Sequence, residues 1–68
     1  MGKLMGTVKF FDAKKGYGSI AGNDGKNYFF FYRDILRKNK YCRANEKVLF
    51  TTIKDARGVR AVGVSFGH

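Results

Sequence analysis

Five aromatic residues stand in a row, Tyr28-Phe29-Phe30-Phe31-Tyr32, in a chain of only 68 residues. Side chains of a strand alternate between faces with period 2, so Phe29 and Phe31 share one face and Tyr28 and Phe30 the other. A half-buried strand needs one apolar face, and here both are aromatic. One alternative is that both faces are core, as in the central strand of a sandwich. So short a chain has no second layer to cover the outer face, which favours Tyr28 and Phe30 as core and Phe29 and Phe31 as an exposed platform.

The rest of the composition narrows what such a platform serves. The chain has room for one domain, and a domain this small buries only roughly 60% of the surface of its unfolded chain. Fourteen Lys and Arg face five Asp and Glu, a net charge of +9. A small basic domain of this kind meets a polyanion such as nucleic acid. Seven Phe and four Tyr exceed what so small a core can bury. Exposed rings beside cations stack unpaired bases, each stack worth about 1–3 kcal/mol whatever the base.

Other classes fit poorly. Cys42 is the single cysteine, so no intramolecular disulfide can form, and His68 is the single histidine, which excludes a Cys/His zinc cluster. A lone thiol fits a reducing cytosol, with Cys42 as a small apolar filler. No apolar run approaches the roughly 20 residues of a membrane span, and Met1 to Thr7 lacks the apolar core of a secretory signal. Glu46 is the only glutamate, and Asp12, Asp24, Asp34 and Asp55 fall in turns or at loop starts, where capping explains them. There is no phosphate-binding loop, and the reading is a non-enzyme without cofactor or metal.

Nine glycines and no proline punctuate short segments, as in an all-β chain. Five strands are predicted, at about 5–11, 17–21, 27–32, 47–54 and 59–66. Asp24-Gly25 marks a hairpin, and Asp55-Ala56-Arg57-Gly58 another turn. On the fourth strand Val48 and Phe50, continuing to Thr52, share a face. On the fifth Ala61, Gly63 and Ser65 alternate with Val62, Val64 and Phe66. Short, closely spaced strands suggest a small closed barrel, which removes edges. Arg33 to Glu46 is a long basic loop. At most one 3₁₀ turn is expected in Asp34 to Lys40, with Asp34 as N-cap. In Lys14-Lys15-Gly16-Tyr17-Gly18-Ser19-Ile20 one face is nearly bare, so a neighbouring strand or a ligand can come close.

These segments resemble a known family in order along nearly the whole chain. Gly6-Thr7-Val8-Lys9-Phe10-Phe11-Asp12 resembles the opening Gly-Thr-Val-Lys-Trp-Phe-Asn of cold-shock domains. Lys15-Gly16-Tyr17-Gly18-Ser19-Ile20 resembles their Lys-Gly-Phe-Gly-Phe-Ile, and the aromatic run their Val-Phe-Val-His-Phe. Asn45-Glu46-Lys47-Val48-Leu49-Phe50 and Arg57-Gly58-Val59-Arg60-Ala61-Val62-Gly63-Val64 are similar to the two later motifs. The resemblance implies a five-stranded antiparallel OB-fold barrel spanning 1–68 as one domain. It implies a monomeric cytoplasmic binder of single-stranded RNA or DNA, an RNA chaperone or cold-shock regulator.

The implied binding face lies on strands one to three. Phe10, Tyr17, Phe29, Phe31 and Tyr32 are expected on it, with Tyr41 from the long loop. Lys9, Lys15, Arg57 and Arg60 flank the rings, and Asn27 is placed to meet a base edge. Implied core residues are Val8, Phe11, Ile20, Tyr28, Phe30, Ile35, Val48, Phe50, Ile53, Val62 and Val64. Tyr28 replaces a Val, so its hydroxyl needs a partner or the barrel rim. Ser19 replaces an aromatic and leaves a gap in the platform, with Phe31, in place of His, adding ring area nearby. Arg60 replaces Gln, a charged fork for a neutral amide. Asn45 replaces Gly at a position suited to positive φ. The loop charges Arg33, Arg37, Lys38, Lys40, Arg43 and Lys47 read equally as a solvated face or a phosphate track. A different class of function, a basic barrel docking on a protein or nucleoprotein, uses the same surface with less weight on the rings.

Overall fold

Phe30 is fully buried and Phe29 is 60% exposed, one residue apart on the same strand. That contrast fixes which way the aromatic run faces. The computed structural model describes residues 3–66; Gly67 and His68, the latter expected to be a plain terminal residue, lie outside the described residues. Five strands form: β1 (Leu4–Asp12), β2 (Tyr17–Gly22), β3 (Asn27–Phe31), β4 (Lys47–Asp55) and β5 (Gly58–Phe66). They close into a barrel in the order β1-β2-β3-β5-β4, with β4 returning to β1. Neighbours are antiparallel except β3 and β5, which meet in parallel at a single pair, Phe29 with Arg60.

The core is an aromatic and β-branched cluster. Val8, Ile20, Tyr28, Phe30, Ile35, Val48, Phe50 and Val64 are buried as expected, joined by Cys42 and Ala61. Tyr28 tilts against Phe50 with ring centroids 5.2 Å apart. Fully burying one such side chain stabilises the fold by about 1.5–3 kcal/mol. The Tyr28 hydroxyl donates to the Asp24 carboxylate. Asp24 sits in the β2–β3 hairpin, where the Gly25 N–H donates to Gly22 O and the Gly22 N–H to Lys26 O.

Two inserted residues set what faces outward. Val8 pairs with Ile20 but Phe10 pairs with Ser19, so β1 carries one extra residue, Lys9. A regular strand would put Phe10 on the buried side with Val8. The bulge turns it outward, where it is 43% exposed. Gly18 makes this crossing possible, since a Cβ there would lie 2.3 Å from Phe10 O and 2.8 Å from Phe30 Cζ.

The second bulge corrects the expected core. Leu49 pairs with Ser65 and Thr51 with Val62, which leaves an extra residue in β5. Gly63, at φ 60°, takes up the turn. Ala61 and Val64 therefore both point in, and Val62 is only half-buried. Ile53, expected in the core, is 43% exposed. Its parity groups it with Leu49 and Thr51, opposite the buried Val48 and Phe50. Thr52 is exposed because the β4–β5 hairpin runs on beyond the core. Phe11 is half-buried, its ring stacked on Phe30 at 5.8 Å and edge-on to Tyr41 at 5.8 Å.

The segment after β3 also differs. β3 ends at Phe31, and Tyr32–Asp34 forms a 3₁₀ turn. Asp34 closes that turn instead of starting one, and its carboxylate accepts the Phe31 N–H at 2.9 Å. Beyond it, Ile35 bridges Val64 in parallel. The long loop is pinned by Arg37 on Glu46 at 2.7 Å, with Asn45 at φ 73° as its sequence implied.

Candidate nucleic-acid interface

Register builds the ring surface. β1, β2 and β3 bring Phe10, Ser19 and Phe29 side by side, and Tyr17 beside Phe31. Tyr17 stands edge-on to Phe10, with centroids 6.1 Å apart, and edge-on to Phe29 at 6.2 Å. Edge-to-face packing lets one ring support two others. Phe10, Tyr17, Phe29 and Phe31 form one side of a trough of about 530 Å³. The other side comes from the β4–β5 turn and the start of β5, through Arg57, Val59 and Arg60.

Phe31 is ringed by cations. The guanidinium carbons of Arg33, Arg60 and Arg57 lie 5.2, 5.4 and 6.0 Å from its centroid. Such contacts stabilise cation and ring together. Arg60 is also held at its edge. Its Nε donates to Asp34 Oδ2 at 3.1 Å and its Nη1 to Asp55 Oδ2 at 2.9 Å. The bond from Asp34 raises the Arg60 pKa further above its usual value. The Asp55 carboxyl is held below its usual range, first by the Arg57 backbone N–H and then by Arg60.

A second concavity of about 370 Å³ is lined in part by Phe11, Gly16 and Tyr32, chain neighbours of Phe10, Tyr17 and Phe31. Phe11, Tyr32 and Tyr41 supply its rings, and Lys14, Lys15 and Lys40 its charge. The turn holding the first two lysines is fixed by Asp12, whose Oδ1 accepts the N–H groups of Lys14 and Lys15 at 3.0 and 3.1 Å. That carboxylate is thus engaged by the backbone. The Tyr32 N–H donates to Gly16 O at 2.9 Å, which seats the ring against the same turn.

The predicted site residues therefore fall into two groups. Phe10, Tyr17, Phe29, Phe31, Arg57 and Arg60 line the trough. Lys15, Tyr32 and Tyr41 line the second concavity. Lys9, exposed at the bulge, and Asn27, exposed at the start of β3, line neither. Ser19 is not an open gap: it is 8% exposed between Phe10 and Phe29. Sequence reasoning missed Val59 as an apolar wall and left Arg33 among the ambiguous charges. The signal for Val59 is its place beside Arg57-Gly58, where a hairpin tip cannot be core.

No group of three His, Cys, Asp or Glu that could hold a metal occurs among the described residues, and none of their helices is long and apolar enough to cross a membrane. A five-stranded barrel with outward rings and a cationic rim is an OB-fold of the nucleic-acid-binding kind. The family description "'Cold-shock' DNA-binding domain" matches residues 4–66. The chain is 40% identical to cold shock protein 1 of Lactiplantibacillus plantarum, over 87% of this chain and 91% of that protein. It is 36% identical to cold shock-like protein CspG of Escherichia coli K12, over 91% of each. It is also 36% identical to Y-box-binding protein 1 of Xenopus laevis, over 93% of this chain but only 23% of that longer protein. In fold it is similar to the structure described as drosophila Unr CSD456, with TM-score 0.82 at 19% identity, over 97% of this chain and 27% of that one. The chain belongs to the cold-shock domain family, a family of non-enzymatic nucleic-acid-binding domains.

Proposed function

We propose that this cold-shock domain acts as a monomeric cytoplasmic RNA chaperone or cold-shock regulator, stacking unpaired bases on Phe10, Tyr17, Phe29 and Phe31 and on Tyr32 and Tyr41. The observation that carries this reading is the exposure of Phe29, at 60%, in the middle of a supported series of rings. A ring so exposed contributes little to the core and offers its face to a base. Lys15 beside the second concavity and Arg57 beside the trough supply charge for the phosphates of the same strand. Because duplexes hide base faces, the domain binds melted strands and shifts the folding equilibrium of RNA by mass action, without ATP.

The test is a titration of matched single-stranded and duplex oligonucleotides at moderate salt. The single strand binds far more tightly, and Phe29→Ala together with Phe31→Ala abolishes the difference while the fold persists. Equal affinity for both forms would leave charge alone as the binding force and sink the stacking mechanism.

A further inference from the structure

The three guanidinium groups around Phe31 are not equivalent. Arg60 has both ends of its fork engaged, Nε and Nη2 by Asp34 and Nη1 by Asp55. Its side chain is only 16% exposed to solvent. Arg33 and Arg57 are exposed, and neither has an ion-pair partner among the described residues. The two acids that could neutralise them are Asp34, next to Arg33 in the chain, and Asp55, at the other end of the turn from Arg57. Both are taken by Arg60, and Asp55 Oδ1 also accepts the Arg57 backbone N–H at 2.9 Å.

The clamp has a second effect. Asp34 belongs to the 3₁₀ turn that carries Arg33, and Asp55 ends β4 at the turn that carries Arg57. Arg60 therefore ties together the two turns from which the free guanidiniums reach the same ring. A phosphate is recognised best by planar forks held in place in advance. We propose that Arg33 and Arg57 form a phosphate-binding pair at the Phe31 end of the trough, meeting the phosphodiester beside the base stacked on Phe31. Arg60 is a positioning residue that draws two carboxylates away from that pair and touches no phosphate. This rests on the stacking reading above, whose own test is the preference of the wild-type chain for single strands over duplex.

The experiment is a titration with single-stranded oligothymidylate over a series of salt concentrations. Each phosphate neutralised contributes about −0.7 to the log–log slope for single strands. Arg33→Gln and Arg57→Gln each flatten the slope by about 0.7, because each removes one phosphate contact. Arg60→Gln alone releases both carboxylates to the pair and flattens the slope, whereas the triple variant Asp34→Asn/Asp55→Asn/Arg60→Gln keeps the wild-type slope. A wild-type slope in Arg33→Gln or in Arg57→Gln overturns the pair, and a flattened slope in the triple variant overturns the role of Arg60. A measurement on the wild-type chain covers the case in which the triple variant does not fold. By nuclear magnetic resonance, the Arg60 Nε–H is protected from solvent exchange with and without oligothymidylate, while those of Arg33 and Arg57 gain protection only on binding. No gain at Arg33 overturns the proposal even where the wild-type chain prefers single strands.

Discussion

Ser19 on β2 sits directly opposite Phe29 on β3, on the face that carries the outer rings. Phe10 flanks it from β1, and the serine lies low between the two, 8% exposed. Tyr17, two residues away on the same face, spans the space above through its edge contacts with both phenylalanines. Ser19→Phe adds a ring on this outer face, where cross-strand neighbours stand about 4.5–5.5 Å apart at Cβ. Affinity for a single strand is expected to rise by up to about 1–3 kcal/mol, the worth of one stack, and the gain to persist at high salt. A thermal melt checks the geometry. A drop equivalent to about 1–3 kcal/mol would mean that the added ring overpacks against Phe10, Tyr17 and Phe29.

Lys15 lies on a turn whose only carboxylate, Asp12, is occupied by backbone N–H groups. Lys15→Ala is expected to weaken binding of all single-stranded sequences alike and to flatten the salt slope by about 0.7. Melting temperature should stay close to wild type, since the side chain is exposed. An unchanged slope in the titration means that Lys15 meets no phosphate.

Three carboxylates give the fold a defined acid limit. The Tyr28 hydroxyl holds the Asp24 carboxyl below its ordinary value of 3.8, Arg37 holds Glu46 below 4.5, and the Arg57 N–H holds Asp55 below 3.8. Each folded pKa is depressed, so the stability these groups contribute is present above the ordinary values. It is lost as pH falls through the folded ones. Denaturant midpoints are expected to be flat near neutrality and to fall steadily below about pH 4. Tyr28→Phe removes the Asp24 part of that fall, and an identical acid profile in this variant would show that the bond contributes nothing.

Cys42 is buried to 1% exposure, and burial pushes its thiol up to about 11. Almost no thiolate exists near neutral pH, and alkylation needs thiolate. Iodoacetamide is expected to leave the native chain unmodified and to label it quickly in denaturant. The labelling rate then reports opening of the core. Rapid labelling in native buffer would contradict the burial.

Much of this was legible because β3 carries its information locally. Period 2 across Tyr28 to Phe31 separates core from platform without any knowledge of neighbours, and the Tyr28 hydroxyl advertises its need for a partner. The bulges were less visible. Nothing at Lys9 announces an extra residue, although Phe10 beside Val8 makes sense on the outer face only with one. Gly63 does carry a signal, a glycine in the middle of a strand, but alternation taken strictly sends Val62 inward and leaves Ala61 out. In sequence Arg60 shows only a charged fork, because its partner Asp34 is 26 residues away. Pairing at that range depends on the barrel closing, and no local pattern encodes it.

That closure is thinnest where β3 meets β5, at the single pair Phe29 and Arg60. The same two residues line the trough. On the proposed reading, a nucleic-acid strand lying there would span the joint like a suture. A stretch of barrel held by a single strand pair of its own would then be the part that a guest holds shut. Amide protons along this joint are expected to be the ones whose exchange slows most when the domain is loaded, and an empty domain would open first along the line where it grips.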